Sequence, residues 1–174
     1  AISKKPSTPI KKVTVKNYKM DLSISEKFSS FNNIIEIDKH SDIDLHEEVY
    51  TIAKYFKEEL NYDSIPFNPF GQLFEEYKVL LFTEEALDVY RKGPMPHRIY
   101  GGCLFSKMKF KEDNDYWALE WIWFHPFFRN RGNLKKNWIQ LEKSFGNFII
   151  KKPISNDMKA FLENINSKHK HLEL

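Results

Sequence analysis

The spacing of apolar residues along the chain alternates between helical and strand periods. Leu45, Val49, Ile52, Ala53, Phe56 and Leu60 fall on one face of a helix, and Asp44 with Glu47 three residues later predicts a capping pair at its start. The run NIIEID around Ile34 to Ile37 predicts an early strand, and YKVLLFTEE predicts another centred on Val79 to Phe82. Residues 84–92 predict a turn of helix, stopped by KGPMPH. Strands follow over Arg98 to Phe110 and Tyr116 to Phe124, joined by the polar turn KEDND, so the middle of the chain reads as an antiparallel meander. The stretch NYDSIPFNPFGQ has loop chemistry, with Phe67 and Phe70 expected against the body or lining a site. Near the end, Phe148 to Ile150 predicts a short buried strand, and Ser155 caps a helix whose face is Met158, Phe161, Leu162 and Ile165. Residues 1–12 have the Pro/Ser/Lys bias of a mobile arm, residues 13–168 read as one domain, and residues 169–174 read as a tail.

The most informative stretch is WIWFHPFFRNRGNLKKNW, from Trp121 to Trp138. Pro126 ends an aromatic strand, and from Leu134 the apolar positions Leu134, Trp138, Leu141 and Phe145 mark a helix closed by Gly146. A strand, a basic glycine-containing loop and a helix in this order leave backbone N–H groups at the helix start, where they bind anions. Arg131, Lys135 and Lys136 add positive charge nearby.

Composition narrows the field. The chain has 174 residues, 41% of them hydrophobic and 16% aromatic, which suits one domain with a substantial core. A net charge of +3 is too small to point to nucleic acid by itself. Cys103 is the single cysteine, so one chain can hold neither a disulfide framework nor a cysteine metal site. His40, His46, Asp42 and Asp44 match no standard metal spacing, and no metal is expected. Without a spanning apolar run or an apolar leader, the chain reads as cytoplasmic, with no membrane partner. Trp117, Trp121, Trp123 and Trp138 are expected in the core, and Cys103 as a small buried apolar residue.

The run from Leu119 to Leu134 resembles the acetyl-CoA-binding signature of GNAT acetyltransferases. Phe124-His125-Pro126 stands at its Val-x-Pro-like step, while Arg129, Gly132 and Leu134 stand at its Arg, first Gly and second small position; the leucine departs from the pattern. Within the superfamily the order of FKEELNY, KVLLFTEE, IYGGCLF, IWF and FIIKKPISNDMKAF looks most like the catalytic domain of cohesin acetyltransferases and bacterial look-alikes, without their zinc finger. The resemblance implies an α+β fold: a mixed, mostly antiparallel sheet flanked by helices, with a splayed central cleft between the strands at Ile122 to Phe124 and Phe148 to Ile150. The pantetheine arm would pair there with backbone amides, which would also polarise the thioester carbonyl.

The implied activity is N-acetyltransfer from acetyl-CoA, as co-substrate, to an amine acceptor, a protein lysine or a small amine, by direct attack in a ternary complex. The expected cofactor-binding residues are Ile122, Trp123, Phe124, Arg129, Asn130, Arg131, Gly132, Asn133, Leu134, Lys135, Ser155 and Phe161. A protonated amine must lose a proton before it attacks, and Glu120 is the first candidate base, as its strand position in the family implies. Strand alternation places Glu120 on the side of Ile122 and Phe124, provided no bulge intervenes. His125 is the second titratable candidate, although its place beside Pro126 favours a solvent-facing histidine. The last helix offers no tyrosine to protonate the departing thiolate, leaving water or Ser155. The alternative is a non-catalytic module on the same scaffold, binding acyl-CoA or a protein or nucleic-acid partner.

Overall fold

The computed structural model describes residues 14–15, 18–71, 74–109 and 114–172. The arm expected over residues 1–12 and most of the KEDND turn lie outside these residues. In chain order the elements are strands β1 (Thr14–Val15), β2 (Tyr18–Lys19) and β3 (Ile24–Ser25), a 3-10 helix (Glu26–Phe31) and β4 (Ile34–Ile37). Helix α1 (Ile43–Leu60), β5 (Tyr77–Glu85), β6 (His97–Lys109) and β7 (Asp115–Phe124) follow. A 3-10 turn (Pro126–Phe128), α2 (Asn133–Phe145), β8 (Ile149–Lys151), α3 (Asn156–Asn164) and β9 (His171–Leu172) complete the chain.

One seven-stranded sheet carries the fold in the order β4-β5-β6-β7-β8-β9, with β3 paired to β6. The meander β5-β6-β7 is antiparallel, whereas β7-β8 and β8-β9 are parallel. The sheet is mixed and mostly antiparallel, the α+β architecture predicted from the element order. Period-2 alternation sorts its side chains into two cores. Val79, Leu81, Leu104, Trp121 and Trp123 pack with Val49, Ile52, Ala53 and Phe56 of α1. Leu80, Phe82, Phe105, Leu119 and Phe124 pack with Trp138 and Leu141 of α2 and Leu162 of α3. Cys103 is fully buried in the second core, and burial pushes its thiol pKa well up, so it is an inert apolar filler.

Several expectations change. The N-cap of α1 is Asp42, without a side-chain cap bond, and Asp44 lies in the first turn, so the Asp44–Glu47 pair does not cap. Residues 86–92 form no helix. Arg98, 2% exposed, donates to both carboxylate oxygens of Asp88 at 2.9 and 2.7 Å and pulls this loop against β6. That charge-assisted contact, with both bonds from the one Nη2, is worth more than one marginal helical turn. Phe67 is buried against His46 and Tyr77, but Phe70 projects into solvent at 83% exposure. The segment read as a tail instead joins the sheet through β9, and His169 stacks on Phe148 with ring centroids 3.9 Å apart.

Candidate active site

Strand β7 pairs with β8 only through Ala118–Ile149 and Leu119–Ile150. Beyond Leu119 the two strands part, and among the described residues the rest of β7 has a strand partner only on its β6 side. The N–H of His125 donates to the Tyr100 carbonyl of β6 at 2.9 Å, so by alternation Ile122 and Phe124 direct their main-chain groups to the open edge. A ladder edge of this kind accepts an extended, amide-bearing chain as an extra strand.

The loop leaving that edge is shaped by its sequence. Pro126 starts the 3-10 turn, and His125 caps it by accepting from the Phe127 N–H at 3.1 Å. Asn130 (φ 56°) and Gly132 (φ 81°) both adopt the left-handed region, which curls the backbone before α2. Gly132 is the N-cap of α2 and makes no side-chain cap bond, so the first N–H groups of the helix have neither intrahelical nor capping acceptors. A Cβ added to Gly132 would meet nothing within 4 Å. Space, unpaired N–H groups and the positive end of the helix dipole coincide there, which fits a pyrophosphate.

A cavity of about 510 Å³ runs from this loop along the open edge to α3. The structure brings Ile122, Trp123, Phe124, Arg129, Asn130, Gly132, Asn133, Leu134, Lys135, Ser155 and Phe161 together on its walls. Arg131 is the exception: its Nε donates to the Phe127 carbonyl, and its guanidinium lies 4.2 Å from the Phe127 ring centroid, so it braces the loop. Arg129 lines the cavity, yet its guanidinium is engaged by the Phe124 carbonyl (2.9 Å) and Glu59 of α1 (2.5 Å). The side chain of Asn133 donates to the Phe128 carbonyl at 3.0 Å. Glu59 and Asp157 also line the cavity and balance Arg129 and Lys135, so the anion fit rests on the backbone more than on side-chain charge. Sequence reasoning missed both carboxylates, which come from helices remote from the loop.

His125 does not face solvent: it is 0% exposed and borders neither this cavity nor its neighbour. Burial lowers its pKa to about 4, with Arg129 and Arg98 acting in the same direction against the Met20 backbone carbonyl. A neutral, enclosed imidazole that caps a turn is a structural group, which removes His125 from the candidate bases.

A second cavity of about 670 Å³ adjoins the first. It shares Leu60, Ile122, Ser155 and Met158 with the first, so the two meet at the splay. Its aromatic walls are Phe56, Tyr62, Phe74 and Trp121. Glu120 lies here because β7 bulges: Leu104 faces Trp121 and Phe105 faces Leu119, which makes Glu120 the extra residue. Its carboxylate accepts from the Ser106 hydroxyl and forms an ion pair with Lys151. Both side chains are mostly enclosed, at 13% and 14% exposure, so this is not a surface pair. Ser155, at the junction of the cavities, accepts from the Met158 N–H at 3.1 Å, which leaves its own O–H a donor.

No family model matches the chain, and no curated protein matches it. Solved structures do. A mutant form of a Bacillus halodurans protein superposes with a TM-score of 0.50 at 13% identity, covering 80% of this chain and 98% of its own. An aminoglycoside acetyltransferase from an uncultured soil metagenomic sample gives 0.48 at 10% identity, with 80% and 92% covered. A GNAT family acetyltransferase of Staphylococcus aureus gives 0.35 at 18% identity, with 80% and 85% covered. At these identities the likeness is one of fold, carried by the Bacillus halodurans protein. The chain is thus a mixed-sheet α+β domain that shares the fold of the Bacillus halodurans protein.

Proposed function

We propose that the protein is an N-acetyltransferase that moves acetyl from acetyl-CoA to an amine. The carrying observation is the continuity of three features: the open edge of β7, the slot beside it, and the uncapped start of α2. The N–H groups of residues 132–135, with Lys135, would hold the pyrophosphate, and the main-chain groups of Ile122 and the N–H of Phe124 would pair with the amide-bearing arm. Acetyl-CoA supplies an activated acyl thioester, and the acceptor nitrogen gains its C–N bond as the C–S bond breaks. Glu120, in the adjoining cavity, receives the amine proton directly or through water. The thiolate takes its proton from Ser155 or solvent; with a thiol pKa of ~8.5 it leaves readily. Ser155 stands where the two cavities meet, which suits that role.

The reading is tested by thermal unfolding with acetyl-CoA. A ligand bound only by the folded state at a hundredfold excess over Kd adds about 2.7 kcal/mol. Gly132→Asp should abolish the shift, because a carboxylate would enter the anion cradle; Gly132→Ala separates this from strain, since alanine shares the positive-φ cost without the charge. No shift for the wild type at millimolar acetyl-CoA would overturn the assignment. A shift without turnover toward any amine would favour the non-catalytic module.

A further inference from the structure

The second cavity carries information about the acceptor. Its lining holds an enclosed ion pair rather than a lone carboxylate: Glu120 contacts Lys151, whose ammonium lies 5.6 Å from the Phe74 ring centroid. A simple alkylamine entering here as its ammonium ion must share Glu120, already paired through Oε1, with Lys151. That leaves the enclosed lysine and a second cation drawing on one carboxylate. Removing one partner of an enclosed pair is unfavourable unless the ligand replaces it.

A ligand bearing both charges does replace it. Its ammonium takes the place of Lys151 on Glu120, and its carboxylate takes the place of Glu120 on Lys151. Because Glu120 and Lys151 are in direct contact, only a ligand whose own charges sit a few bonds apart can enter between them with little rearrangement. The neighbouring walls, Phe56, Tyr62, Phe74 and Trp121, suit an apolar or aromatic remainder. Resting on the acetyltransferase reading, we propose that the acceptor is the α-amine of an amino acid with an apolar or aromatic side chain, its carboxylate held by Lys151. Proton loss to Glu120 then frees the nitrogen for attack, and the carboxylate keeps Lys151 paired throughout.

The experiment pairs amines that differ only in the carboxylate. Acetyl-CoA binding is first measured by calorimetry for the wild type, Lys151→Met and Lys151→Arg. Initial rates of CoA release are then compared for L-phenylalanine, L-phenylalanine amide and 2-phenylethylamine, and for L-leucine against 3-methylbutylamine. The amino acids should exceed their decarboxylated counterparts by about 10- to 100-fold in kcat/KM, the worth of one charge-assisted contact. Phenylalanine amide is the stringent control, since its less basic amine favours it chemically. Lys151→Met should close the gap and Lys151→Arg should keep it. Equal rates for amines with and without the carboxylate, a gap that survives Lys151→Met, or acetyl-CoA binding with neither series accepted would each overturn the proposal while leaving the cofactor site intact. Absence of acetyl-CoA binding would instead remove the acetyltransferase reading on which it rests.

Discussion

Arg129 offers a sharp test because its sequence position and its geometry assign it different work. The motif places it among the anion ligands, whereas the structure engages its guanidinium on the Phe124 carbonyl and the Glu59 carboxylate, 5.8 Å from the Trp123 ring centroid. It thereby ties the end of β7 to the C-terminal turn of α1. Deleting a hydrogen bond to a charged group costs about 1.5–3 kcal/mol. The Glu59 side chain is 11% exposed and that of Arg129 33%, so their pair lies between the surface and buried limits. We therefore expect about 2–3 kcal/mol from Arg129→Met, or a Tm lower by roughly 4–12 °C for a domain of this size. Urea unfolding of Arg129→Met, Glu59→Gln and the double variant should give a coupling of about 1–2 kcal/mol. Acetyl-CoA affinity should change little in its salt dependence, because no phosphate contact is lost. Unaltered stability together with a tenfold or greater loss of acetyl-CoA affinity and a weaker salt dependence would refute the brace and return Arg129 to the phosphates.

Three further outcomes follow from the same structure. His125 has a folded-state pKa of about 4 against an ordinary 6.5, so between these values the unfolded chain binds a proton that the folded chain refuses. Stability therefore falls as pH drops through that window, by up to ~1.4 kcal/mol per unit, and denaturant titrations of His125→Gln should show a flatter pH dependence than the wild type. Gly101→Ala would set a Cβ 2.6 Å from the Trp123 carbonyl, and the forced shift of β7 should cost about 1–3 kcal/mol in chemical unfolding; a neutral effect would mean the strands yield freely there. Glu120→Gln should leave acetyl-CoA affinity unchanged while lowering turnover by ~10²–10⁴-fold, a loss that shrinks as pH approaches the amine pKa; equal rates across the pH profile would leave water as the base.

The sequence was most legible where one period ran long enough to fix a face. The α1 stripe from Val49 to Phe56, the strands β5 to β7 and the cap residues Ser155 and Gly146 were readable because each depends on neighbours within a turn or two. The cavity-lining residues from Ile122 to Lys135 were readable for the same reason: they are nearly consecutive. Elements set by distant partners were not. Strands β3 and β9 have two residues each, too few to display a period, and exist through pairing with β6 and β8. The burial of Arg98 depends on Asp88, ten residues away, and the anchoring of Arg129 on Glu59, seventy residues away.

Glu120 shows how far such a hidden partner reaches. Strict alternation in ALEWIWF sets Glu120, Ile122 and Phe124 on one face, but Leu119, Ile122 and Phe124 belong to the same core, which an unbroken strand cannot achieve. The extra residue is dictated by β6, whose Leu104 and Phe105 face Trp121 and Leu119, and nothing local to β7 announces it. A bulge bends its strand and increases its twist. This one lies next to Leu119, the last residue of β7 that still pairs with β8. The same inserted residue accounts for the parting of the strands and for the carboxylate that meets Lys151 in the space so opened. Cleft and candidate base are thus one feature of the register, and a change in β6 that removed the bulge would close the first and turn away the second.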